Sequence, residues 1–66
     1  MRIGFIGLGT MGKNAAASIR RHGFDMVVYD IRPEAMEGLA AMGAAKGASP
    51  ADVLARCDVV VTMVFG

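Results

Sequence analysis

The sequence has few of the residues that staple a small protein, bind metal in it or give it a strong charge. A single cysteine, Cys57, in 66 residues excludes an internal disulfide framework and any multi-cysteine metal site, and it fits a reducing, cytoplasmic setting. Seven Lys and Arg against six Asp and Glu leave a formal charge of +1. That balance gives no electrostatic case for a nucleic acid or an anionic membrane as partner. Long hydrophobic runs are missing too. The longest late one, Val59–Val61 and Met63–Phe65 broken by Thr62, falls far short of the roughly 20 residues that span a bilayer. No targeting segment is expected at the start, where Arg2 precedes a short apolar stretch with no small-residue cleavage site. There is no internal repeat, linker or low-complexity stretch. One small domain is the most this length supports, and such a chain buries only roughly 60% of its unfolded surface.

What is present is globular in composition, with 55% hydrophobic and 20% charged residues. Arg2–Ile6 reads as a short strand, apolar and without helical periodicity. From about Thr10 to His22 the pattern is helical, with Met11, Ala15 and Ile19 on one face and Lys13, Asn14, Arg20 and Arg21 mostly on the other. Gly23 stops this helix, and Arg20, Arg21 and His22 complement its dipole. "FDMVVYD" is the next strand, with an apolar centre at Met26–Tyr29 that suits cover on both faces. Pro33 opens a second helix, Glu34 favours its positive end, Met36, Leu39 and Ala40 form its buried stripe, and Gly43 closes it. "AAKGA" is a very short edge strand or an extended connection. In "SPAD", Ser49 caps a brief helix over Pro50–Arg56, with Asp52 as a weak capping-box partner. "DVVVTMVF" is the third clear strand. Its Val59–Val64 portion, apolar on both faces, suits a sheet interior. Cys57 is expected as a small buried residue between helix and strand. Alternation of strands and helices implies a parallel sheet with helical crossovers, the layout of half a doubly wound α/β domain.

Nine glycines are many for this length, and three of them, Gly7, Gly9 and Gly12, have the spacing G-x-G-x-x-G. The triplet alone is a weak signal. Here it follows a strand and opens a helix, and Asp30 ends the next strand 18 residues after Gly12. In this context each glycine has a physical task. Gly7 permits the tight turn, Gly9 lets a pyrophosphate approach the backbone, and Gly12 lets the helix pack closely on the sheet. Amides near Thr10–Gly12 would face the phosphates. Asp30 would accept hydrogen bonds from the adenosine ribose, and its charge favours NAD over NADP. Arg32 can pair with a 2′-phosphate, which keeps NADP open. The bland alternatives are a merely tight turn at the glycines, an ordinary strand end at Asp30 and a solvated charge at Arg32.

"GFIGLGTMG", "VVYD", "GA" at Gly43–Ala44, "SPADV" and "DVVVTMV" together resemble the β-hydroxyacid dehydrogenases across the whole chain. That family includes 3-hydroxyisobutyrate dehydrogenase, tartronate semialdehyde reductase and, more distantly, 6-phosphogluconate dehydrogenase. The resemblance implies strand order 3-2-1-4. It also implies a cofactor site at Gly7, Leu8, Gly9, Thr10, Met11, Gly12, Asp30, Ile31 and Arg32, with Met63, Val64 and Phe65 facing the nicotinamide-side ribose. The implied activity is hydride transfer between NAD(P) and a small hydroxyacid, in an enzyme able to oligomerise. Asn14, Ala15, Ser18 and Phe65 depart from the family's usual Pro, Met, Asn and Pro, which leaves the subfamily open. Lys13 and Lys46 match no catalytic position, so no catalytic residue is assigned and no metal is expected. Residues 1–66 are therefore expected to be the first part of a dinucleotide-binding domain, without the family's helical catalytic domain. The rival readings are a 6-phosphogluconate dehydrogenase or imine reductase fragment, a non-catalytic NAD-sensing module, and a remnant that binds nothing.

Overall fold

Four parallel strands in the order β3-β2-β1-β4 form the centre of the molecule. The structure is a computed structural model and describes residues 1–62. Its elements run β1 (Arg2–Ile6), α1 (Thr10–Arg21), β2 (Asp25–Tyr29), α2 (Pro33–Ala41), β3 (Ala45–Lys46), α3 (Pro50–Arg56) and β4 (Val59–Thr62). β1 pairs with β2 from Arg2 opposite Asp25 to Ile6 opposite Tyr29, and with β4 from Ile3 opposite Val59 to Ile6 opposite Thr62. "AAKGA" contributes a two-residue edge strand. β4 lies at the other edge, with Val59 45% exposed. Among the described residues β4 has a neighbour on one side only, as the expected order 3-2-1-4 places it.

Alternation along each strand separates two packing faces. On one face Phe5, Met26 and Val28 join Leu8, Ala16, Met36, Leu39 and Ala44 in a single buried cluster, with Ile3, Ile19 and Val61 against it. Full burial of a side chain such as Phe5 stabilises the fold by about 1.5–3 kcal/mol. On the other face α3 packs against β1 and β2. Val53, fully buried, sits there between two glycines. A Cβ on Gly4 would lie 2.5 Å from Val53 Cγ1 and 2.9 Å from Cys57 Sγ, and one on Gly47 would lie 2.6 Å from Val53 Cγ2. Helix and strand approach this closely only because neither glycine has a side chain.

α1 differs from its expected register. Ala15 is exposed, and Ala16 is fully buried on the line of Gly12 and Ile19. Ala15, Ala16 and Ala17 are equally apolar, so periodicity alone does not choose among them. Contact with the sheet selects Ala16. Arg20 likewise leaves the solvent face. Its guanidinium donates to Met42 O at 2.9 Å and to Phe24 O at 2.8 Å, tying together the ends of both helices. Gly23 and Gly43 stop α1 and α2 as expected, each with positive φ.

Ser49 caps α3 as expected, with Asp52 N donating to Ser49 Oγ at 3.0 Å, whereas Asp52 Oδ2 accepts at 2.9 Å from Ala48 N, one residue before the N-cap. Ser49→Ala is expected to cost about 1 kcal/mol, read as a lower midpoint in urea unfolding with an unchanged slope. Among the described residues, no helix is long and apolar enough to cross a membrane.

Candidate functional site

All four strands end on the same side of a parallel sheet, so the turn after β1, the turn after β2 and the start of α3 converge there. The chain leaves β1 through Gly7, whose φ of +89° is a conformation that glycine adopts without strain. Its N–H donates to Tyr29 O at 2.9 Å. Gly9 is the N-cap of α1, at φ −63° and ψ −178°. Those angles suit any residue, so its being glycine is not a matter of backbone conformation. The first helical bond runs from Lys13 N to Gly9 O at 2.8 Å. Helix geometry leaves the amides before it without an intrahelical partner. The first turn carries no acidic side chain to offset the positive end of the dipole, which favours an anion there.

Asp30 joins this turn to the end of β2. Leu8 N donates to its Oδ2 at 2.7 Å, and Arg32 N donates to Oδ1 at 2.9 Å. The Arg32 guanidinium stands 3.6 Å from Oδ1 while its side chain stays 61% exposed. Asp30 itself is only 8% exposed. The Arg32 amide, then the Leu8 amide, hold its carboxyl below the usual 3.8, against the opposing effect of burial. A carboxylate offers about four acceptor positions. Two are taken by these amides, and the Arg32 guanidinium stands against the oxygen that also accepts from the Arg32 amide.

Beside Asp30 lies a largely apolar cavity of about 440 Å³, lined by Ile6, Gly7, Tyr29, Asp30, Ile31, Arg32 and Pro50. Its size suits a small planar ligand group. Of the residues expected to form a site, the structure brings Gly7, Gly9, Gly12, Asp30, Ile31 and Arg32 to this end of the sheet. Ile31 is 84% exposed at the rim. Leu8 has its side chain 2% exposed in the core and its amide bonded to Asp30. Thr10 and Met11 open α1, and their side chains lie outside what the structure describes. Met63, Val64 and Phe65 also lie outside the described residues. Sequence reading missed Tyr29 and Pro50 as lining residues. The topology carries the signal for Pro50, since the helix after β3 must begin where the strands end.

The lowered Asp30 pKa sets a direction for stability. A group whose folded pKa lies below its unfolded value stabilises the fold above the unfolded value and loses that contribution as pH falls through the folded one. Asp52 acts in the same direction, through the Ala48 amide and Arg56. Stability is therefore expected to fall on acidification from about pH 4 downward. In urea unfolding followed against pH, Asp30→Asn should flatten that acid limb. An unchanged limb in the variant would remove Asp30 from the account.

Comparison with known proteins covers nearly the whole chain. Residues 2–65 match the family described as the NAD binding domain of 6-phosphogluconate dehydrogenase. The chain is 48% identical over 62 residues to an L-threonate dehydrogenase of Cupriavidus necator, covering 94% of this chain and 21% of that protein. It is 39% identical over 61 residues to the mitochondrial 3-hydroxyisobutyrate dehydrogenase of Homo sapiens, covering 92% and 18%. An imine reductase from Myxococcus stipitatus, solved in complex with NADP+, superposes with a TM-score of 0.95 at 26% identity, over 100% of this chain and 23% of that one. The chain thus spans about a fifth of the length of the curated relatives it matches.

Proposed function

The chain belongs to the family of NAD binding domains of 6-phosphogluconate dehydrogenase, and on that premise we propose that it holds the adenosine and diphosphate of NAD in an oxidoreductase acting on a small hydroxyacid. The observation that carries this reading is the convergence at one end of the sheet. A helix start with no acidic residue, a glycine turn, the Asp30 carboxylate and a cavity of about 440 Å³ adjoin one another there. The diphosphate would rest over the first amides of α1. Asp30 would accept from the ribose hydroxyls, and the adenine would occupy the cavity between Ile31 and Pro50. Bound nicotinamide supplies hydride transfer, and the residues described here contribute binding and orientation.

Asp30 favours NAD because a 2′-phosphate would face its charge, and Arg32 softens that preference by lying within reach of the same phosphate. The hydroxyacid reading is supported by the names of the relatives at 48% and 39% identity. The catalytic domain, the hydroxyacid contact and any association between copies belong, in this proposal, to a longer protein of which residues 1–66 form one part. A reducing compartment, the cytoplasm, suits the lone thiol of Cys57.

Calorimetry with NADH and NADPH tests the reading. NADH is expected to bind the chain more tightly than NADPH. Asp30→Ala should weaken NADH by about tenfold or more, the loss of hydrogen bonds to a charged acceptor. Absence of NADH binding by a folded wild-type chain would remove the proposal.

A further inference from the structure

We infer that Asp30 is a positioning residue for the glycine turn: through the Leu8 amide it sets the shape that the turn presents to a diphosphate, separately from any contact with ribose. The inference rests on the dinucleotide reading above and adds to it a second task for the same carboxylate. The turn between β1 and α1 consists of Gly7, Leu8 and Gly9. Two of these three are glycines, which lose more backbone freedom on ordering than any other residue. Leu8 is the one residue of the three with a side chain, and it is held at both ends. Its side chain is 2% exposed within the core, and its N–H donates to Asp30 Oδ2 at 2.7 Å. That length marks a charge-assisted bond, roughly twice as strong as a neutral one. Immediately before it, Gly7 N donates to Tyr29 O at 2.9 Å. Two successive amides of the turn are therefore tied to two successive residues at the end of β2.

The carboxylate cannot easily follow a ligand away from this position. Its other oxygen accepts from Arg32 N at 2.9 Å, and the residue is 8% exposed. Both oxygens are thus fixed before a nucleotide arrives, and the turn is fixed with them. Preorganisation of this kind strengthens binding by removing an ordering cost. It acts against a direct electrostatic effect, because a negative charge beside an anion site repels the anion. The two effects have opposite signs when the charge is removed, which makes the inference decidable.

The test uses ligand fragments that separate ribose from phosphate. Inorganic pyrophosphate and adenosine are titrated separately into the chain and into Asp30→Asn, followed by amide chemical shifts, with thermal unfolding confirming that the variant is folded. If Asp30 positions the turn, Asp30→Asn weakens pyrophosphate by about tenfold, the loss of one charge-assisted bond, although the site has become less negative. Unchanged or tighter pyrophosphate binding overturns the inference, including the case in which adenosine alone is weakened. Should Asp30→Asn fail to fold, hydrogen exchange in the wild-type chain decides. Leu8 N–H is expected to be as protected as the paired amides of β1, and free exchange at Leu8 overturns the anchor. A wild-type chain that binds neither NADH nor pyrophosphate would defeat the dinucleotide reading, while the exchange measurement would still decide whether Asp30 holds Leu8.

Discussion

Gly9→Val is expected to weaken NADH binding by about 100-fold or more, a loss of about 2.7 kcal/mol, while the chain stays folded. The separation follows from the geometry at the N-cap. Gly9 sits at φ −63° and ψ −178°, an extended conformation open to valine, so the substitution forces no backbone change. A branched side chain there would stand beside the first amides of α1, where the diphosphate is proposed to rest. Valine is a poorer N-cap than glycine, and this costs about 1 kcal/mol. In a domain of this size that corresponds to a Tm lower by about 4–8 °C. Gly9→Ser separates the two effects. Serine caps at least as well as glycine, so its Tm should equal or exceed that of the wild type, yet its Cβ should still weaken NADH. Calorimetry paired with thermal unfolding reads both quantities. Wild-type affinity in Gly9→Val would mean that the diphosphate does not approach the turn at Gly9.

The largest effect on stability is expected at a glycine that the G-x-G-x-x-G spacing does not include. Gly4→Ala places a Cβ 2.5 Å from Val53 Cγ1 and 2.9 Å from Cys57 Sγ. Neither neighbour is the end of a long flexible side chain, and Val53 is fully buried. α3 must therefore shift away from β1. Overpacking of this kind costs about 1–3 kcal/mol, which lowers Tm by roughly 4–8 °C for each kcal/mol. The partner substitution locates the cause. Val53→Ala removes the methyl that the new Cβ would meet, so in the double variant the two changes should offset each other by about 0.5–3 kcal/mol relative to their sum. Strict additivity in the double-mutant cycle would show that the helix does not seat on Gly4 as described.

Much of the architecture follows from short-range chemistry and was readable in order along the chain. Gly7 must turn the backbone out of β1, and it does so at φ +89°. Gly23 and Gly43 stop helices, and Ser49 with Asp52 starts one. The acid at the end of β2 was expected at the glycine turn because a parallel strand-helix-strand unit returns the chain to the same end of the sheet. Other features were not readable for an equally physical reason. Ala15 and Ala16 have the same side chain, so the burial of Ala16 had to come from where the sheet lies. Arg20 looked like a solvent-facing charge because nothing local shows that Met42 O, 22 residues away, will be within 2.9 Å. Gly4 had no visible task, since its neighbour Val53 arrives from the far end of the chain.

By itself, the sequence determined the succession of strands and helices, their caps and breaks, and hence a parallel sheet with a glycine turn and Asp30 at its carboxyl end. These follow from backbone dihedrals, side-chain periodicity and capping, which act over a few residues. Tertiary structure alone decided that the Asp30 carboxylate turns inward to the Leu8 amide, that Val53 nests between Gly4 and Gly47, and that Pro50 closes the cavity beside the turn. Each is a contact between segments distant along the chain, fixed by close packing and by the need of buried polar groups for partners, and local patterns do not encode such distances.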